Sequence, residues 1–170
     1  MATTLLGFSI VYLPHYLTLP PATFHPELLS LLENDAEKFL SIIGFRGSAK
    51  SSFASLALPL WSALEGRSHF IITFADTSAQ ATLQISNIRH ELENNELLLA
   101  DYGDQSEGIS KQREWTQTSL LLHNGARIMA RSRGQRIRGL RHREFRPDLV
   151  IIDDPEEIER GGFGRGGTYP

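Results

Sequence analysis

The residues with the most chemistry to offer stand between Gly44 and Ser52. Gly44-Phe45-Arg46-Gly47-Ser48-Ala49-Lys50-Ser51 has the form of a variant Walker A phosphate loop. In such a loop successive backbone N–H groups point inward and hold phosphate oxygens at a helix N-terminus. The lysine, here Lys50, reaches the β- and γ-phosphates, and the next hydroxyl, Ser51, coordinates Mg²⁺. The eight loop residues and the following Ser52 are therefore candidate nucleotide contacts, with ATP and Mg²⁺ as the implied ligands. Ala49 departs from the common pattern, which has glycine there; it adds one methyl group, and Gly47 supplies flexibility nearby. Arg46 lies inside the loop, where a cation offsets charge developing on the γ-phosphate as an arginine finger does. The competing reading of Arg46 is a salt bridge to a neighbouring carboxylate.

A second element completes such a site. Leu149-Val150-Ile151-Ile152-Asp153-Asp154 has the form of a Walker B strand, an apolar run with an acid at its end. Asp153 would hold Mg²⁺ through water. Asp154 occupies the place where many such ATPases carry a glutamate that orients the attacking water. The bland alternative is a buried strand ending in a helix-capping Asp pair. The six histidines are scattered without metal-ligand spacing, so no metal site is assigned to protein side chains alone.

These residues need a scaffold, and the hydrophobic pattern supplies one. Phe39 to Phe45 is a short isoleucine-rich run that reads as a buried strand leading into the loop. Lys50 to Leu64 reads as a buried helix after it. His69 to Phe74 is the next strand. Asp76 or Thr77 caps a helix from Ser78 to about Asn94, with Ala81, Ile85, Ile88 and Leu92 as its apolar stripe. Leu97 to Ser110 reads as loop. Asn124-Gly125 is a hairpin turn between Ser119–Leu122 and Arg127–Ala130. Asp148 to Asp153 is the last strand. Before all of these, the prolines from Pro14 to Pro26 predict an extended or looped stretch, then a helix over Glu27 to Lys38. Trp61 and Trp115 read as packing residues, and a base-contacting residue is expected near Tyr12 to Tyr16. Alternating strands and helices imply an α/β fold with a mostly parallel sheet, whose ligands bind at the carboxyl ends of strands.

Composition sets the outer limits. A chain of 170 residues is normally one domain, and 41% hydrophobic with 22% charged residues is globular composition. Without cysteine there is no disulfide, no thiolate nucleophile and no sulfur-held zinc. No stretch approaches the roughly 20 apolar residues that span a bilayer, and residues 1–6 do not form a secretory signal. The net charge is -3, yet eight of the 17 Lys and Arg residues are arginines between Arg127 and Arg146. Such a concentration suits a polyanion; a solvated hairpin whose arginines pair with carboxylates elsewhere is the alternative. Glu159 to Pro170 is rich in Gly and Arg and reads as a disordered tail, a truncation or an altered reading frame.

The motifs taken together resemble one family. Arg46-Gly47-Ser48-Ala49-Lys50-Ser51, Gly134-Gln135-Arg136-Ile137-Arg138-Gly139, and Arg146-Pro147-Asp148 running into Asp153-Asp154 look like the ATPase domain of the large terminase subunit of tailed bacteriophages. Tyr12-Leu13-Pro14-His15-Tyr16, Phe24-His25 and Ala75 to Glu91 are similar to further parts of that domain. The resemblance implies a P-loop NTPase of the ASCE type. It implies a motor that couples ATP hydrolysis to translocation of viral double-stranded DNA into procapsids. Portal protein and small terminase subunit would be its partners, as a homo-oligomer on the portal in the bacterial host cytoplasm.

By matching position, Arg46 takes the role of the Walker A arginine and Asp153 that of the Walker B acid. Asp154 stands for the catalytic carboxylate, one methylene shorter than the usual Glu. Arg133, Arg136 and Arg138 are candidates for DNA or phosphate contact. The coupling motif expected after Walker B and the C-terminal nuclease domain have no counterpart here. Residues 1–158 are therefore expected to form a partial P-loop ATPase domain, incomplete at its C-terminus, with 159–170 as tail. The alternatives are a truncated remnant that binds nucleotide or DNA without turnover, and another DNA-dependent P-loop motor such as a helicase.

Overall fold

The computed structural model describes residues 4–153 except 18, 35, 37, 111–113 and 137. Asp154, Glu156, Glu157 and the Gly/Arg-rich segment 159–170 lie outside the described residues.

The chain opens with α1 (Leu5–Tyr12), a 3₁₀ turn (Pro14–Tyr16) and α2 (His25–Glu33). The opening helix α1 has no counterpart in the sequence pattern; its Leu5, Phe8 and Tyr12 are buried against the rest of the core. A helix follows the glycine loop without a break. It begins at Lys50, runs as a π-helical segment over Ser52–Ala57 and continues as α3 (Leu58–Leu64). Every residue of α3 is buried, Trp61 among them, which fits a helix apolar on all sides.

Then come β1 (Phe70–Ala75), α4 (Ser78–Asn94), α5 (Glu96–Tyr102), β2 (Ser119–Leu121), β3 (Arg127–Ser132) and β4 (Leu149–Ile152). The strands form one mixed sheet in the order β2-β3-β1-β4. β1 pairs in parallel with β3 and with β4, while β2 and β3 are antiparallel. The protein is thus α/β with a mostly parallel four-stranded sheet. β1 is central and buried on both faces, as its unbroken apolar run requires. The β2–β3 connection turns at Asn124-Gly125, with Gly125 at φ 88° and Asn124 Oδ1 accepting the Ala126 N–H. The helix α4 starts on a full capping box, Thr77 with Gln80, and buries Ala81, Ile85, Ile88 and Leu92 as the periodicity predicts. Ile71 and Ala75 of β1, Ile128 and Ala130 of β3 and Ile151 of β4 belong to the same core as α1, α3 and α4. No helix among the described residues is long and apolar enough to cross a membrane.

Two expectations are corrected. Leu97 to Ser110 is not all loop. Asn95 caps α5 by accepting the Leu98 N–H, and Gly103 ends it at φ 74°. The cap and the stop were legible, but the helix is only seven residues long and has no apolar period to announce it.

More consequential, Phe39 to Phe45 is not a strand. Phe39 is 96% exposed and Ile43 98%, and no strand among the described residues pairs with the segment. Strand propensity is realised only where a neighbouring strand completes the ladder of hydrogen bonds, and apolar composition alone does not provide one.

Candidate functional site

Because β1, β3 and β4 are parallel, their carboxyl ends share one edge of the sheet. Asp153 leaves β4 at that edge, where its N–H donates to Phe74 O at 3.2 Å. The glycine loop arrives at the same place from a separate part of the chain. Ser51 Oγ donates to Asp153 Oδ1 at 3.1 Å, joining residues 102 positions apart in sequence. Ser55 Oγ donates to the other oxygen, Oδ2, at 2.8 Å. Ser51 and Ser55 are four residues apart in the first helical turns, so both hydroxyls face the same way. Ser55 is absent from the site residues read off the sequence; a second hydroxyl four residues after Ser51 was the available signal.

The loop itself is closed tightly. Ser48 N–H donates to Phe45 O at 3.2 Å, and Phe53 N–H to Ala49 O at 3.0 Å. A Cβ on Gly44 would lie 2.9 Å from Ser48 Oγ, so any other residue there would displace that hydroxyl. Gly47 has φ 86°, and Ala49 has φ 55°. Ala49 therefore adopts the left-handed conformation that glycine takes freely, at a cost of about 1–2 kcal/mol for an L-residue. Lys50 is half-buried, and Ser51 and Arg46 are exposed. Arg46 makes no ion pair among the described residues. Ser48 is buried with its Oγ unpartnered.

The N-terminal segment reaches the loop through Phe24 and His25. Phe24 meets Phe45 edge-on at 5.9 Å, and His25 Nε2 lies 3.0 Å from Ser48 O. Beside them a cavity of about 260 Å³, walled by Phe24, Leu28, Leu31, Ile42 and Phe45, opens onto Lys50.

Tyr12 to Tyr16 lie elsewhere. Tyr12 OH donates to Asp101 Oδ2 at 2.5 Å, and Tyr16 OH to Glu91 Oε1 at 3.2 Å. His15 Nε2 is 3.0 Å from that same Glu91 oxygen. Burial, then the Glu91 carboxylate, push the Tyr16 phenol up to about 12. Glu91 and Asn95 close the far end of α4, about 20 Å along its axis from the Thr77 cap. These aromatic residues serve the core, and Phe24 and His25 are the ones beside the loop.

The arginine-rich segment divides in two. Arg127 is a brace: Nε donates to His142 Nδ1 at 3.1 Å, Nη1 donates to Ser119 Oγ at 3.1 Å, and Nη2 lies 3.6 Å from Glu114 Oε1. Arg133, Arg136 and Arg138 are exposed, and Arg133 begins the turn that leaves β3 at the carboxyl edge of the sheet, where its N–H donates to Asp76 O at 3.3 Å. Arg133 Nη1 is 3.7 Å from Asp76 Oδ1. Burial lowers the His142 imidazole below its ordinary value, against the opposing hydrogen bond to Gly125 O.

Ser51 and Asp153 are thus brought into contact, with Lys50 next to Ser51 in the chain and Arg46 exposed earlier on the loop. Asp154 lies outside the described residues. Comparison with known protein families, curated proteins and solved structures finds no match to this chain.

Proposed function

We propose that this chain is a P-loop NTPase domain that binds Mg²⁺–ATP at Gly44–Ser52 and hydrolyses it to drive double-stranded DNA, as the motor part of a phage packaging terminase. The observation that carries the reading is the Ser51–Asp153 contact at 3.1 Å. A hydroxyl next to the loop lysine and an acid at a strand end meet where a magnesium ion would sit. The donor set is hard oxygen, which fits Mg²⁺. Bound there, the ion would add positive charge beside the β- and γ-phosphates. Ser51 Oγ would turn from Asp153 toward the metal, and Ser55 would keep the carboxylate in place.

The remaining roles follow from position. Lys50, without an ion-pair partner among the described residues, is available to the phosphates. Arg46, four residues before Lys50 in the loop, would supply positive charge to the in-line transition state. The cavity next to Phe24 and Phe45 is mostly apolar, with Glu27 and Lys50 also on its lining, and is the place proposed for the base. Arg133, Arg136 and Arg138 offer a backbone-tracking surface without sequence preference, which a translocating motor needs. Asp154 is the candidate to orient water. The portal protein, the small terminase subunit, a ring of copies and the bacterial host cytoplasm belong to the same proposal by resemblance.

A second reading has its own support. Phe39 to Phe45 stands outside the sheet, so the loop lacks the strand that normally anchors it. A domain so unsupported would bind nucleotide or DNA without turnover. ATPase rate with and without double-stranded DNA, measured beside Lys50→Ala, separates the readings. Lys50-dependent turnover supports the motor; Mg²⁺–ATP binding without it supports the remnant. Absence of Lys50-dependent Mg²⁺–ATP binding overturns the motor and the nucleotide-binding remnant alike, leaving only a remnant that binds DNA.

A further inference from the structure

An anion-holding loop works only if its peptide N–H groups converge, and every N–H that turns inward turns its partner carbonyl outward. An outward carbonyl that is buried needs a donor. In this loop the Ser48 carbonyl has one. His25 Nδ1 accepts the Ala22 N–H at 2.7 Å, so the ring proton resides on Nε2. Nε2 therefore donates to Ser48 O at 3.0 Å. The ring is only 8% exposed and is wedged between Phe24, at 4.1 Å between ring centres, and Phe53, at 5.0 Å. Its direction is fixed on both sides and at both nitrogens.

The peptide held in this way joins Ser48 to Ala49, and Ala49 sits at φ 55°. Rotating that peptide by half a turn would carry φ of Ala49 into the ordinary negative range. It would relieve the left-handed strain and point the carbonyl inward, at the phosphates. Alanine in place of the usual glycine makes the flip favourable; the His25 hydrogen bond opposes it. We infer that His25 is a positioning residue that locks the Ser48–Ala49 peptide in the phosphate-receiving orientation, offsetting the strain that Ala49 introduces. The inference rests on the proposed nucleotide site for its functional consequence, but its structural content stands apart from it.

The test is a cycle of His25→Phe, which keeps an aromatic ring between Phe24 and Phe53 but removes the donor, with Ala49→Gly, which removes the strain. Two quantities are read: the Ala49 HN–Hα coupling constant by NMR, which reports φ without nucleotide, and Mg²⁺–ATP affinity. His25→Phe should shift the coupling toward the extended value and weaken binding about tenfold, the equivalent of one hydrogen bond. In the Ala49→Gly background the loss in affinity should shrink to about threefold, because glycine has no strain driving the flip. His25→Gln, which retains an amide donor, should fall between, and it serves if His25→Phe does not fold. An unchanged coupling in the donor-less variant overturns the inference, as does an equal affinity loss in both backgrounds. A shifted coupling in a chain that never binds Mg²⁺–ATP would instead sink the nucleotide reading and leave the lock in place.

Discussion

Replacing Asp153 with Asn distinguishes a metal-organising acid from a helix-bracing one. The carboxylate accepts two hydroxyls, Ser51 at 3.1 Å and Ser55 at 2.8 Å. Asn has nearly the same volume and keeps one acceptor oxygen, while its amide nitrogen can only donate, so one bond to a charged acceptor is lost. At this half-exposed position a bond to a charged acceptor is worth about 1 kcal/mol after screening. The thermal midpoint should therefore fall by about 2–4 °C for a chain of this length. The effect on nucleotide binding should be larger. Two unit charges about 4 Å apart at an effective dielectric of about 20 interact by about 4 kcal/mol. An intervening water and partial exposure halve that to about 2 kcal/mol, which is about thirtyfold in affinity. Titration of a fluorescent ATP analogue with Mg²⁺, and again with chelator, reads the difference. Asp153→Asn should bind about thirtyfold more weakly with Mg²⁺ and equally well without it. Equal affinity in Mg²⁺, together with the small loss of thermal stability, would show that Asp153 only braces Ser51 and Ser55.

Three further outcomes follow from the same geometry. Replacing Arg133, Arg136 and Arg138 together with Ala should flatten the salt dependence of double-stranded DNA binding by about 0.9 in log–log slope for each phosphate no longer neutralised; anisotropy titrations over a salt series measure it, and an unchanged slope removes the turn from the DNA surface. His142 has a lowered pKa because it is buried, so the folded state favours the neutral ring. Its contribution to stability is whole above about pH 6.5 and is lost as pH falls from there through the lowered folded value; urea unfolding across that range should show a steeper loss than in His142→Asn. Finally, Phe39→Ser with Ile43→Ser should change stability by less than about 0.5 kcal/mol, since both side chains are almost fully exposed. A loss above about 2 kcal/mol in chemical unfolding would mean that the segment is buried in a sheet.

Local signals were sufficient wherever one segment carries its own determinants. Thr77 with Gln80 and the Ala81–Leu92 stripe specify α4 without reference to anything distant. Asn124-Gly125 specifies its hairpin because the turn geometry admits few other residues. Gly44, Lys50 and Ser51 stand at the fixed spacing that a phosphate loop asks for, a local signal of the same kind. Where the outcome depends on a partner, the pattern misled. Phe39 to Phe45 has the composition of a buried strand, but a strand exists only against another strand, and tertiary structure supplied none among the described residues.

The same dependence works in the other direction at the site. Nothing local to His25 ties it to the loop, and the four-residue spacing from Ser51 gives Ser55 only its helix face, because hydrogen bonds across 23 and 98 positions arise only when the chain has folded. The sequence by itself determined the chemistry on offer: a lysine and hydroxyl on a glycine loop, and an acid at a strand end. The parallel sheet decided that loop and acid meet at one edge, and helix packing decided that His25, rather than Tyr12 or Tyr16, lies against the loop. Residue types set what a contact can do; only the path of the chain in space sets which residues make it.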